Sequence, residues 1–367
     1  MTLVLAWTDS THAYMIADSA ETHRLGPPEA EVSSLGQVQR QDERGPVVEE
    51  RAQKVVEIGP GALVALLGNT RGARAFARHL FSLAEQHLAD PQTNLQAAIE
   101  ALREWDGGND TFEAVIALSA PGEAPCLFGF SYPERTFHPI PPMGIIVRGS
   151  GQDAPLTQRL VPAIQNLRGL DNPSAEKFLV AMLAVMNGEA LYTDLIKHSV
   201  GGCFIGAATG GGEVTWQPDI LYMPYRPDFR AFGVESPTPS IPDKALPQRE
   251  RVTNIITARV RRGHVAISST YNQRAVVLTN GVLPRVELSK AFGRADHLQY
   301  EYAVLLPLME GGRLVVIEGD DPALSPILFT LETTSIRSDL ATLLTTHPTP
   351  EHPRTIFLDR AALERMK

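Results

Sequence analysis

The chain opens with two short apolar runs, TLVLAWT over 2–8 and HAYMIAD over 11–17, set around the polar turn Thr8-Asp9-Ser10. Apolar and β-branched runs on either side of a polar turn predict a hairpin. A second hairpin is predicted over 53–58 (QKVVEI) and 62–67 (ALVALL), which flank Gly59-Pro60-Gly61. Between the two, residues 25–50 are rich in Pro, Gly, Glu and Arg and predict a long exposed loop. The period then changes: in 71–88, Ala75, Leu80, Leu83, Ala84 and Leu88 recur near helical spacing. A second helix fits 93–105, with Thr93 or Asn94 as N-cap and Gly107-Gly108-Asn109-Asp110 as its stop. Strands return at 112–119, 125–130, 135–140 and 143–148. Two further helices fit 154–168 and 173–187, the second opened by Asn172-Pro173-Ser174 and broken at Asn187-Gly188. Strands resume at 202–208 and 214–222.

Strand blocks alternating with paired helices, without a regular βαβ rhythm, argue against a doubly wound parallel sheet. They suit a layered α+β architecture in which helices cover antiparallel sheets. Residues 226–250 hold five prolines, including SPTPSIP, and read as a semi-rigid linker. The remainder, 251–367, is β-rich. Asn280-Gly281 between AVVLT and VLPRVEL signals a hairpin, as does Gly311-Gly312 between YAVLLPLM and RLVVIEG, and a short helix fits 359–366. The expected organisation is a first domain over 1–225, a linker over 226–250 and a β-rich C-terminal domain over 251–367.

Composition narrows the function classes. Hydrophobic residues make up 43% and charged residues 20% of the 367, an ordinary globular balance. The net charge of -9 argues against non-specific nucleic-acid binding, which needs clustered Lys and Arg. Cys126 and Cys203 are at neither metal nor disulfide-framework spacing, which points to a reducing compartment. No signal-peptide pattern and no apolar stretch of membrane-spanning length is found, so a cytoplasmic protein is expected, with no membrane partner. His347 and His352 read as loop residues, Gly210-Gly211-Gly212 as a turn, and no metal or cofactor is expected.

The candidate chemistry lies at the N-terminal end. If Met1 is removed, the chain starts with a free Thr2 amine. A Thr hydroxyl is a weak nucleophile, and an N-terminal amine can serve as its base. With a reference pKa of roughly 8, that amine is partly neutral near pH 7. A neighbouring cation favours the alkoxide and lowers the amine pKa, and a carboxylate would hold that cation. Asp18 ends the strand that pairs with the first one, and Lys54 opens the next hairpin, one of only six Lys in the chain. Gly68 follows ALVALL and can present its N–H to an oxyanion.

Taken in order, Thr2, Ala17-Asp18-Ser19, Lys54-Val55-Val56-Glu57-Ile58, Gly68-Asn69-Thr70, Gly149-Ser150-Gly151 and Gly201-Gly202 resemble the proteasome β-subunit family of N-terminal-nucleophile hydrolases. The chain is especially similar to bacterial ring peptidases of the HslV and Anbu kinds, over residues 2–225. The resemblance implies a four-layer αββα sandwich, here with a β-rich C-terminal extension. It implies Thr2 as nucleophile and base, Lys54 lowering the hydroxyl pKa, Asp18 orienting Lys54, Gly68 forming the oxyanion hole, and Ser150 binding the terminal amine. Thr22 matches a position whose backbone pairs with an extended substrate, and Ala52 and Leu66 match positions near an apolar S1 pocket. A homo-oligomeric ring acting on peptides or unfolded chains is implied, with any unfoldase partner unknown.

Departures accompany the match. Where the family has Asp-x-x-Ser-Gly-Gly, this chain reads Lys197-His198-Ser199-Val200-Gly201-Gly202. Either the terminal amine loses two partners or Ser199 substitutes. Ala20 stands where the family has Arg, and the loop between Asp18 and Lys54 is longer. The expectation is an N-terminal threonine peptidase or amidohydrolase working through an acyl-enzyme on Thr2. The alternative is a catalytically inactive proteasome-like scaffold or binding module.

Overall fold

A computed structural model of the chain describes residues 2–23, 33–34, 47–86, 105–106, 110–168, 174–192, 195–198, 200–225, 255–261, 263–269, 274–280, 282, 300–307, 313–319, 327–329, 334–336 and 355–358. The expected second helix, the linker, His347, His352 and the terminal helix lie outside these residues, as do most of the expected loop and the second strand of the Asn280-Gly281 hairpin.

Sheet one is five-stranded, in the order β10 (Ile145–Arg148), β1 (Val4–Thr8), β2 (Ala13–Asp18), β11 (Phe204–Gly210), β12 (Glu213–Trp216). Its neighbours all run antiparallel. The β1 segment is buried at every position, and apolar up to Thr8, because the sheet is covered on both faces. Val4 and Ala6 face sheet two, while Leu3, Leu5 and Trp7 face the helices. On that side Trp7 stacks on Tyr14 with ring centroids 4.8 Å apart, and both meet Phe178 edge-on.

Sheet two is the antiparallel order β5 (Val55–Gly59), β6 (Ala62–Gly68), β7 (Phe112–Leu118), β8 (Cys126–Tyr132), β9 (Thr136–Ile140). Helix α1 (Thr70–Gln86) covers its outer face through Ala73, Phe76, Ala77 and Leu80. That stripe has the helical period expected, but Ala75 lies on the exposed side of it. The helix is capped by Asn69, whose Oδ1 accepts the Arg71 N–H at 2.9 Å and the Gly72 N–H at 3.3 Å.

Helices α2 (Pro155–Arg168) and α3 (Ala175–Tyr192) pack on sheet one. Sheet three is mixed and seven-stranded, in the order β16 (Arg274–Leu278), β15 (His264–Ser269), β14 (Ile256–Arg261), β13 (Ile220–Tyr225), β17 (Tyr302–Pro307), β18 (Leu314–Glu318), β21 (Thr355–Leu358). Two of its pairings, β13 with β17 and β18 with β21, are parallel. Two short ribbons complete the described elements: β3 (Ala20–His23) with β4 (Val47–Glu50), and β19 (Ile327–Phe329) with β20 (Thr334–Ile336).

The expected four-layer αββα sandwich is not what the chain forms. The described residues are mostly β, with 21 strands against three α-helices in several sheets. The α2/α3 pair is also not an outer layer. One apolar cluster runs from Leu5 and Trp7 through Leu179 and Met182 of α3 to Tyr222, Val304 and Val316 of sheet three. The physical reason is legible in α3, which is apolar on nearly all sides, as a helix held between two sheets must be. Its continuation past Asn187-Gly188 corrects the expected break. The Asn187 Oδ1 accepts the Phe204 N–H at 2.9 Å, and Gly188 faces Leu306 and Leu314 of sheet three. The core likewise continues across residue 225, since β13 is the central strand of sheet three. The region expected as loop ends in β4, whose Val48 and Glu50 are buried. Among the described residues, no helix is long and apolar enough to cross a membrane.

Candidate active site

The open end of the first hairpin brings Thr2 beside Asp18. The Asp18 N–H donates to the Leu3 carbonyl at 3.2 Å, and the Leu3 N–H donates to Asp18 Oδ1 at 2.9 Å. The carboxylate is 1% exposed and fully engaged. Its Oδ1 also accepts Lys54 Nζ at 2.8 Å, and its Oδ2 accepts the N–H groups of Ala20 at 3.3 Å and Gly201 at 3.2 Å. Three backbone donors and one ammonium fix its direction. Lys54 sits just ahead of β5, and its carbonyl accepts the Leu66 N–H of β6. Burial pulls the Lys54 ammonium below the usual lysine range, against the opposing pull of Asp18 and Glu21.

Ser150 lies between Thr2 and the segment 195–198. Its Oγ accepts the Thr2 N–H at 3.2 Å and donates to the His198 carbonyl at 2.9 Å. Gly149 makes that approach possible: at φ +99°, a Cβ there would fall 1.9 Å from the Thr2 carbonyl oxygen. The departures take a defined form. Val200 is fully buried and packs against Gly151, where a Cβ would come within 2.7 Å of its Cγ2. The turn carrying Ser150 is thus braced by carbon at that position. Ser199 and the Lys197 side chain lie outside the described residues, and Ser150 is paired through the His198 backbone.

Thr2, Lys54, Gly68, Thr22, Ala52 and Leu66 line one pocket of about 120 Å³. At about 30 Å³ each that is room for roughly four water-sized groups, enough for a carbonyl and one modest side chain. The structure therefore gathers all eight sequence-derived candidates at one place, six on the wall, with Asp18 behind Lys54 and Ser150 behind Thr2. Gly68 holds φ +82° at the end of β6, where a Cβ would press on the Phe112 backbone. One edge of β3 is taken by β4, with Thr22 opposite Val48, and the strand borders the pocket.

Sequence reasoning missed four contributors. The His198 carbonyl and Gly201 N–H are backbone groups that no side-chain motif encodes. Glu50 is 1% exposed and accepts the Cys203 N–H at 2.7 Å, the Ser34 N–H at 2.8 Å and the Ser19 hydroxyl at 3.3 Å. It holds the residues that follow Asp18 and Gly201 in place. Asn280, from the C-terminal part of the chain, also lines the pocket. No local signal marks either side chain beyond a polar residue inside a β-rich stretch.

No protein-family model matches the chain, and no curated protein matches it.

Proposed function

We propose that the protein is an N-terminal threonine hydrolase that cleaves amide bonds, with peptides or unfolded chains as substrates. The observation that carries the reading is that Thr2, the Lys54–Asp18 pair and Gly68 meet at one pocket while Ser150 holds the Thr2 nitrogen. While Met1 is attached, that nitrogen belongs to a peptide bond; after its removal it is an amine. An amine donating one N–H to Ser150 turns its lone pair elsewhere, and its own side-chain hydroxyl is the nearest proton to take. The Thr2 oxygen then attacks the substrate carbonyl carbon, and the Gly68 N–H is the donor available to the developing oxyanion. The amine passes the proton to the leaving nitrogen, which departs and leaves an ester on Thr2. Water, deprotonated by the same amine, hydrolyses that ester. A buried Lys54 with a depressed pKa supplies positive charge that favours the Thr2 alkoxide.

Two free cysteines suit a cytoplasmic setting for this activity, and a homo-oligomeric ring would restrict access to unfolded chains. A second reading, a non-catalytic scaffold, is favoured by one observation: an apolar Val200 where the resemblance calls for a hydroxyl.

Intact mass and labelling with a peptide epoxyketone separate the two. The hydrolase reading expects loss of Met1 and one adduct on Thr2, absent in Thr2→Ala. A functional protein that retains Met1, or a processed one that neither labels nor hydrolyses peptide libraries, leaves the scaffold.

A further inference from the structure

The role of the C-terminal sheet is open once the catalytic groups are assigned to residues before 205. Its contact with the pocket is built from backbone. Thr279, which directly follows β16, forms a parallel bridge with Ala52. The Gln53 N–H donates to the Thr279 carbonyl, and the Thr279 N–H donates to the Arg51 carbonyl, both at 3.1 Å. The Gln53 side chain reaches the Gly263 carbonyl, in the turn between β14 and β15, at 2.6 Å. Val282 packs on the apolar cluster under α1, and its N–H donates to Asn280 Oδ1 at 2.9 Å, which fixes the carboxamide. Asn280 is 4% exposed and shares the pocket wall with Thr2 and Lys54.

We propose that Asn280 makes the C-terminal sheet a specificity wall, selecting substrates with an uncharged hydrogen-bonding side chain, a carboxamide or hydroxyl, on the residue whose carbonyl is attacked. This rests on the hydrolase reading of the pocket and names its substrate class. Ala52 and Leu66 alone would favour an apolar side chain. The wall adds the Asn280 carboxamide; Thr22 also borders the pocket, with a hydroxyl oxygen that is closed to solvent and has no hydrogen-bond partner among the described residues. A wall carboxamide left facing carbon discriminates against apolar ligands, whereas a ligand hydrogen bond to it discriminates in favour of polar ones. The charged groups of the pocket are already matched: Glu21 pairs with Arg74 and with Arg51, each at 3.4 Å. Neither an acidic nor a basic side chain gains a vacant counterion there.

The test uses four peptides identical except for Gln, Leu, Glu or Lys at the attacked residue. Binding to the full-length Thr2→Ala protein is measured by fluorescence anisotropy, and hydrolysis by the wild type as kcat/KM. The expected result is that Gln binds about tenfold more tightly than Leu, with Glu and Lys weaker still. Adding Asn280→Leu erases or reverses the Gln preference, and the isosteric Thr22→Val, which keeps the shape of the wall, lowers it. A wild-type preference for Leu or a charged side chain, or a ratio unmoved by both variants, overturns the proposal. If Thr2 never labels while Thr2→Ala still discriminates among the peptides, the hydrolase reading falls and the specificity wall stands.

Discussion

Two buried carboxylates, each paired with cationic side chains, behave differently. Asp18 closes the first hairpin and holds Lys54, while Asp219 precedes β13 and holds Arg261 and Arg259 of β14. Both are almost fully buried and both accept backbone N–H groups, Asp219 from Val260 at 3.3 Å. The cations differ. The side chain of Arg261 is 47% exposed, and its pairing with Asp219 pushes its pKa up. That of Lys54 is 8% exposed, and there burial prevails and pulls the pKa down. Pairing wins where the cation reaches water, and desolvation wins where it does not. A buried ion pair is therefore no sign of function by itself. What separates Asp18–Lys54 is the adjoining cavity and the hydroxyl and nitrogen of Thr2 beside it. The guanidinium of Arg261, with its pKa raised further, stays charged at every working pH.

The largest expected effect comes from removing each carboxylate. Asp18→Ala leaves Lys54 buried without its counterion and frees the N–H groups of Leu3, Ala20 and Gly201, so a loss of about 3–5 kcal/mol is expected. Asp219→Ala leaves Arg261 able to turn into water but takes an ion-pair partner from Arg259, whose side chain is 10% exposed, and a smaller loss of roughly 2–4 kcal/mol is expected. Denaturant unfolding of the two variants reads the difference directly. Equal losses would mean that Lys54 is less desolvated than its surroundings indicate. Peptide hydrolysis sharpens the contrast, with Asp18→Asn inactive and Asp219→Asn active.

The same contrast shows what could be read from the chain alone. The hairpins of sheets one and two were legible because alternation, turn residues and spacing are local. The Thr2, Asp18, Lys54 and Gly68 set was legible because each sits at the end of such a local element. Sheet three was legible only in part: the Gly311-Gly312 signal marks its antiparallel β17–β18 pair, but not the sheet as a whole. Its register depends on the parallel pairings of β13 with β17 and of β18 with β21, which join segments far apart in sequence. The layer order failed for a related reason. Helical periodicity locates α3, but the excess of apolar residues on its second face demands a second sheet without saying which strands supply it. Asn280 was invisible as a pocket residue, since only the bridge from Thr279 to Ala52 brings it there.

A second comparison sets two left-handed glycines against each other. Gly149 borders the site, and a Cβ there would meet the Thr2 carbonyl oxygen at 1.9 Å. Gly211 lies in the turn between β11 and β12 at φ +60° with open space around it. Gly211→Ala carries the left-handed strain alone, about 1–2 kcal/mol, with full activity. Gly149→Ala adds displacement of Thr2 from Ser150, so at least about 3 kcal/mol and loss of Thr2 labelling are expected. Thermal unfolding beside epoxyketone labelling checks both. If Gly149→Ala labelled normally, the Thr2 nitrogen would not need the geometry that Ser150 imposes.

The smallest effect bears most directly on why the two ion pairs differ, and it is a slope against pH. Lys54 has a lowered pKa in the folded protein and about 10.4 in the unfolded chain. Between those two values the unfolded chain binds more protons, so folding stability rises with pH, by at most about 1.4 kcal/mol per unit. Below the folded pKa both states are protonated and Lys54 adds no slope. Arg261 has its pKa moved the other way, so it is protonated in both states throughout this window and contributes a constant. Urea midpoints collected in steps from pH 6 to pH 10 should therefore climb more steeply for the wild type than for Lys54→Met. Arg261→Met should keep the wild-type slope at a lower overall stability. Identical slopes in the wild type and Lys54→Met would place the folded Lys54 pKa at its ordinary value.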